Sequence, residues 1–252
     1  MSAADAPVVS AQGAALAYAG APVLDCLDFA AGPGTAVSVL GPNGGGKTTL
    51  FRALVGELSP VSGSVFAQGR PAYVAQTERT RLDFPVNALD VALMGSLASG
   101  RWWLPARRSE RRLAEAALER VGLASEAGTR FGALSGGQRR RVLIARALVQ
   151  DATVLLLDEP LAGVDPASAQ HLERLFGELR SEGRTLLVST HDIENARRYD
   201  LVLCLNRRQV AFGSPQDVLL PKILEETYGS EIVILDDGGG PVRAIAVGHH
   251  HH

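Results

Sequence analysis

Apolar residues along the chain occur in two kinds of stretch. Some are short and unbroken: "TAVSVLG" (Thr35 to Gly41), "ATVLLLD" (Ala152 to Asp158) and "RTLLVST" (Arg184 to Thr190). Continuous apolar runs of this length predict strands buried on both faces, as in a parallel sheet covered by helices. Between the last two runs the spacing changes. Leu172, Leu175, Phe176 and Leu179 recur on one face of "SAQHLERLFGELRSEG", and Gly183 supplies the stop. Strand, crossover helix and strand in succession predict an α/β fold around a largely parallel sheet. From about Pro85 to Gln150 strand-like runs vanish and helical spacing dominates, with Leu113, Ala117 and Val121 on one face of "SERRLAEAALERVGL". This predicts a helical insertion over about 85–150 in a core built from about 1–84 and 151–230. "DDGGGP" (Asp236 to Pro241) reads as a flexible join to a tail over about 236–252.

Composition narrows the partners rather than the fold. The chain has 252 residues, enough for one large domain with a substantial core. Its 25 Lys and Arg against 27 Asp and Glu leave no basic field, so nucleic acid is not expected as the main partner. Cys26 and Cys204 each lie in an apolar, strand-like run and read as buried, reduced thiols, which fits a cytosolic compartment. The first residues, "MSAADAPVV", have neither the basic region nor the apolar stretch of a cleaved leader. No apolar run approaches the length of a membrane span.

The strongest chemical pattern is "GPNGGGKT" (Gly41 to Thr48), two glycines bracketing four residues and then Lys-Thr. It follows one of the buried runs and opens a helical stretch, "TTLFRALVG". Such a loop turns its backbone amides toward phosphate oxygens, and the helix N-terminus adds its positive end. Lys47 would reach the terminal phosphates and Thr48 would hold magnesium. A glycine-rich turn without a ligand is the plainer alternative.

"TVLLLDEP" supplies the complementary acids. Asp158 ends a buried run, where a carboxylate can hold magnesium. Glu159 beside it can polarise a water in line with the terminal phosphate, although two adjacent acids could also form a solvated turn. The next run ends in "STHD", which brings His191 to the sheet edge where ligands collect in open α/β folds. A second anion site is encoded by "LSGGQRRR" (Leu134 to Arg141): Ser135 suits a helix N-cap, and Gly136 and Gly137 permit close approach to the amides behind it. The three arginines read as a solvated helix face rather than a nucleic-acid stripe.

Taken in order from about Val8 to Gly229, these motifs resemble the nucleotide-binding subunits of ABC transporters. Tyr18 in "LAYAGAPVL" is similar to the aromatic that stacks on adenine, "GPNGGGKTT" to Walker A, and Gln76 in "YVAQTER" to the Q-loop glutamine. "LSGGQ" is similar to the family signature, "LLLDEP" to Walker B, "AGVDP" with Asp165 to the D-loop, and His191 to the switch histidine. The resemblance implies a P-loop NTPase (RecA-like) parallel-sheet core with an N-terminal antiparallel β subdomain and an inserted α-helical subdomain. It implies that ATP is held by Tyr18, Asn43, Gly44, Gly46, Lys47, Thr48 and Thr49. Ser135, Gly136, Gly137, Gln138 and Asp165 would complete the site, and Thr48, Gln76 and Asp158 would hold magnesium. Glu159, His191 and Gln76 would be catalytic.

One Walker A and one signature in the chain imply a head-to-tail dimer of two copies that sandwiches two ATP molecules, each signature facing the other copy's Walker A. The resemblance also implies integral membrane permease subunits as partners, a metal-binding substrate-binding protein as an indirect one, and a place at the cytoplasmic face of a bacterial cell membrane. "DFPV", "DVALMG", "LAGVD" and "LCLNRRQVAFGSPQDVL" resemble the manganese and zinc importer subgroup, with iron as a further candidate cargo. The segment carrying Trp102 and Trp103 lies where the family docks its permease, or is core. A soluble ABC ATPase acting in repair, translation or cluster assembly is the alternative; paired cassettes or a long heptad run would mark it, and neither is present. The final "GHHHH" reads as a purification tag after a glycine-rich join, with a native metal-binding tail as the alternative.

Overall fold

The computed structural model describes residues 6–18, 20–75, 84–99, 107–229, 232–235 and 243–246, the last two stretches as backbone. Among the described residues eight strands and α-helices precede the signature, β1 (Val9–Tyr18), β2 (Ala21–Ala31), β3 (Ala36–Leu40), α1 (Lys47–Leu54), β4 (Ser62–Ala67), β5 (Ala72–Val74), α2 (Ala88–Leu93) and α3 (Arg108–Arg120), and the signature itself opens α4 (Gly136–Val149). After it come β6 (Val154–Asp158), α5 (Pro166–Ser181), β7 (Thr185–Ser189), α6 (Ile193–Ala196), β8 (Leu201–Leu205) and β9 (Gln209–Gly213). The chain continues through α7 (Pro215–Val218), α8 (Pro221–Tyr228), β10 (Ile232–Leu235) and β11 (Arg243–Ala246).

A six-stranded sheet, in the order β5-β6-β7-β3-β8-β9, forms the centre. Its first five strands run parallel, and β9 pairs antiparallel with β8. A second, antiparallel sheet of order β2-β1-β4 is built from the N-terminal strands. The three unbroken apolar runs are β3, β6 and β7, and every residue of β6 and β7 is buried. Alternation within these strands divides the core. Leu155, Leu157, Leu186 and Val188 pack toward α2, α3, α4 and α5. Val154, Leu156 and Leu187 pack with Leu16, Leu24, Leu50 and Phe51 of the antiparallel sheet and α1. Each fully buried leucine contributes about 1.5–3 kcal/mol of transfer free energy, so the central strands are fixed from both sides. Their C-terminal ends are therefore firm supports for side chains.

Three expectations change on contact with the fold. On α3 the buried stripe is Ala114, Ala117, Leu118 and, just beyond the helix, Val121, while Leu113 is 59% exposed. At 100° per residue Leu113 lies about a quarter-turn off the centre of that stripe, so sharing a spacing with Ala117 did not place it inside. Cys204 is buried in β8, but Cys26 is exposed. It sits at φ 53° in β2 beside Asp25 and Leu27, in a stretch where pairing with β1 is irregular, so the strand's inward alternation breaks there. Finally, part of the stretch read as a flexible tail is ordered: β11 pairs antiparallel with β10, Ile232 opposite Ala246 and Leu235 opposite Arg243. No helix among the described residues is long and apolar enough to cross a membrane.

Candidate nucleotide site

The loop from Gly41 to Gly46 joins the end of β3 to the first turn of α1. Its geometry depends on missing side chains. Gly44 and Gly46 have φ of 76° and 105°, a region that side-chain-bearing residues avoid. A Cβ on Gly46 would strike the Leu24 side chain, and one on Gly41 would strike the Leu205 carbonyl. The loop rests on the turn after β8: the Arg207 N–H donates to the Gly45 carbonyl at 3.1 Å. From the other side the Gly41 N–H donates to the buried Tyr228 hydroxyl of α8 at 3.2 Å. The Lys47 ammonium donates to the carbonyls of Gly41 and Pro42 at 2.7 and 3.0 Å, which aims the charge into the loop. Asn43 and Gly44 are exposed on the loop, Thr48 is exposed in the first turn of α1, and Thr49 beside it is buried.

Asp158 is the hub of the site. It ends β6 opposite Ser189, the last residue of β7. Thr48 Oγ1 donates to its Oδ2 at 2.8 Å, Ser189 Oγ to its Oδ1 at 2.5 Å, and the Tyr73 hydroxyl to Oδ2 at 3.4 Å. Burial, and then the neighbouring carboxylate, push the Tyr73 phenol well above its ordinary range, so it stays a donor. A threonine hydroxyl and a carboxylate oxygen converging here are hard oxygen donors of the kind magnesium takes. Glu159 follows with φ 49°, a left-handed backbone rare outside glycine, asparagine and aspartate. Its N–H donates to Ser189 Oγ at 2.9 Å, and its carbonyl accepts from Arg140 Nη1 at 2.6 Å.

Glu159 and His191 line one cavity of about 410 Å³, together with Ala162, Ser189 and Asp192. His191 is exposed on the loop between β7 and α6, the latter capped by the Asp192 side chain. Ser135 is the N-cap of α4: its hydroxyl accepts from the Gln138 N–H while the Gln138 side chain accepts from the Ser135 N–H. Ser135 and Gly136 are exposed there, and Gly137 backs onto the D-loop, where a Cβ would come within 3.2 Å of the Gly163 carbonyl. Asp165 caps α5 through the Ser168 N–H, and its bonds to Ser168 lower its carboxyl pKa. Tyr18, at the end of β1, is 39% exposed with its hydroxyl 3.5 Å from Arg52 of α1. Gln76, Trp102, Trp103 and the terminal histidines lie outside the described residues.

The reading of the three arginines as a solvated face fails. All three are half-buried, and each donates to main-chain carbonyls: Arg139 to Leu134, Arg140 to Glu159 and Ala162, Arg141 to Val121 and Gly122. Guanidinium donors are well suited to such fixed carbonyl pairs. Sequence reasoning also missed Ser189, Tyr73 and Tyr228. The signal for Ser189 was available, since it ends the strand predicted to follow Asp158's own in a strand–helix–strand unit. Nothing local marks the two tyrosines.

The family model described as "ABC transporter" matches residues 24–162. The chain is 38% identical over 231 residues to the manganese transport system ATP-binding protein of Halalkalibacterium halodurans, covering 88% of this chain and 92% of that one. It is 40% identical over 226 residues to the zinc transport system ATP-binding protein of Treponema pallidum, covering 86% and 85%. Among solved structures, an inward-facing metal-chelate type ABC transporter superposes with a TM-score of 0.83 at 26% identity, over 95% of this chain and 97% of that one. With a parallel core, an antiparallel N-terminal sheet, a helical insertion and the phosphate loop beside Asp158 and Glu159, the chain belongs to the ATP-binding cassette family of ABC transporter ATPases.

Proposed function

We propose that this chain is the ATP-hydrolysing subunit of an importer for a transition-metal ion, manganese or zinc by its relatives and iron as a third candidate. The observation that carries the reading is the Thr48–Asp158–Ser189–Glu159 network at the mouth of the phosphate loop. Relatives that carry manganese and zinc transport in their names support the cargo class. The metal is substrate of the whole transporter and passes through other chains.

In this reading ATP stacks on Tyr18 and lies along Asn43, Gly44, Gly46, Lys47, Thr48 and Thr49. Thr48, Asp158 and Gln76 would hold magnesium, which when bound offsets the charge on the phosphate oxygens. Lys47, already aimed into the loop, meets the terminal phosphates. Glu159 polarises a water whose oxygen forms a bond to the γ-phosphorus as the bond to the bridging oxygen breaks, releasing ADP and phosphate. His191, on the wall of the same cavity, contacts the γ-phosphate. Ser135, Gly136, Gly137, Gln138 and Asp165 serve the nucleotide of a second copy in a head-to-tail dimer. Closing and reopening of that dimer would drive permease subunits at the cytoplasmic face of the membrane, fed by a metal-binding protein. The units of the chain are then the core over about 1–84 and 151–230 and the helical unit over about 85–150.

Glu159→Gln is the direct test. Turnover should fall by about 10²–10⁴-fold, the usual worth of a positioned base, with ATP binding retained and an ATP-bound dimer accumulating. Hydrolysis at the wild-type rate would remove Glu159 from the role.

A further inference from the structure

The arginine triplet behind the signature does something that its sequence does not announce. Arg140 stands one turn into α4, five residues after the exposed Ser135, with a half-buried side chain. Its Nη1 donates to two carbonyls of another segment, Glu159 at 2.6 Å and Ala162 at 2.8 Å. Glu159 adopts a left-handed backbone that an L residue with a long side chain rarely takes unless held. Both of its peptide groups are held: the N–H by Ser189, and the carbonyl by Arg140 at 2.6 Å and, less closely, by the Ala162 N–H at 3.2 Å. The contact between the two segments is continued by Gly137, whose backbone lies against Gly163 and Val164.

We propose that Arg140 is a positioning residue for hydrolysis, fixing the backbone of Glu159 from the signature helix so that the carboxylate keeps the aim its attacking water requires. Burial lowers the guanidinium pKa and the carboxylates of Glu159 and Asp158 oppose that effect. The inference rests on the reading of Glu159 as the hydrolytic carboxylate. In the head-to-tail dimer it has a second meaning. The signature completes the partner copy's nucleotide pocket, whereas Glu159 serves the pocket of its own chain. One bond pair thus ties engagement at one nucleotide to the geometry at the other.

The test uses the full-length chain. Arg140→Met keeps the length and apolar stem and removes the donors; Arg140→Lys keeps a cationic donor that can reach a carbonyl. Misplacement of a reacting group by about 1 Å costs up to about a hundredfold. Arg140→Met should therefore lower kcat by about tenfold or more, with KM for ATP and ATP affinity close to wild type and the chain still fully folded at the assay temperature. Arg140→Lys should recover a large part of kcat. If Arg140→Met keeps the wild-type kcat, if its loss is accounted for by weaker ATP affinity or by unfolded chain at the assay temperature, or if Lys recovers nothing, the positioning role is overturned. Glu159→Gln measured alongside separates the two readings: an active Glu159→Gln sinks the hydrolytic assignment itself, and an inactive one beside an unaffected Arg140→Met sinks only the role of Arg140.

Discussion

Replacing Tyr228 by Phe removes one oxygen atom, 187 residues away in sequence from the glycine it serves. The hydroxyl accepts the N–H of Gly41, the first glycine of the phosphate loop, in a buried setting. The ring stays in its packing among Leu40, Ile193, Val218 and Leu224. Little apolar contact is therefore lost, and the effect is that of removing the hydroxyl's polar contacts, the bond from Gly41 among them. A neutral bond of this kind contributes about 0.5–1.5 kcal/mol net, and a buried N–H left without an acceptor costs about 1–3 kcal/mol. Gly41 has little room to turn toward another acceptor, because the Leu205 carbonyl already crowds its Cα. The expectation is a loss of about 1–2 kcal/mol in denaturant unfolding, or a few degrees in thermal midpoint for a chain of this size. ATP affinity should fall too, by up to about tenfold if about 1.4 kcal/mol of loop ordering has to be supplied on binding. Equilibrium unfolding and fluorescent-nucleotide titration of the wild type and Tyr228→Phe measure both. Unchanged stability together with unchanged affinity would refute the claim that α8 clasps the loop. A loss of stability without a loss of affinity would show that the hydroxyl serves only the packing of α8.

Ser135→Arg puts a long cation at the exposed N-cap of α4; ATP binding to a single subunit should persist while ATP-dependent dimerisation, read by light scattering, and turnover fall by about a hundredfold or more. For the two cysteines, burial pushes the Cys204 thiol up to about 12 while Cys26 is exposed, so a thiol reagent at pH 8 should label one cysteine in the native chain and both after unfolding. The sign of the linked stability is set by the neutral thiol that the fold prefers. This contribution is complete below about pH 8.5, where the unfolded thiol is also neutral, and is lost as pH rises toward about 12. Rapid labelling of both cysteines in the native state would contradict the burial of β8.

What could be read in advance were the features written in contiguous residues. Strands buried on both faces need unbroken apolar runs, so β3, β6 and β7 and the carboxylates at the end of β6 were visible as patterns. The loop at Gly41 to Thr48 was visible because its backbone demands glycines at fixed places. Features set by which residue faces which across the fold were not. Leu113 and Ala114 are neighbours in sequence with opposite fates, decided by where α4 lies. Cys26 is turned outward by an irregular strand that no period of two records. Arg139, Arg140 and Arg141 looked like solvated charge because a guanidinium's carbonyl partners are main chain and leave no trace in composition. Tyr228 was hidden for the same reason: its partner is an N–H that every residue but proline carries.

The clasp on the phosphate loop also sets an order of events in synthesis. Gly41 to Thr48 emerge from the ribosome well before the turn at Leu205 to Arg207 and the hydroxyl of Tyr228 that hold them. Until then the central sheet lacks β8, the strand beside β3, and the loop has neither its floor nor its fastening. Nascent chains usually fold in whole domains rather than residue by residue, and here the rule has a concrete cause. The loop Gly41 to Thr48 therefore gains its floor and its fastening only after Tyr228 has been made, so the two ends of this clasp are joined late relative to the synthesis of the loop itself.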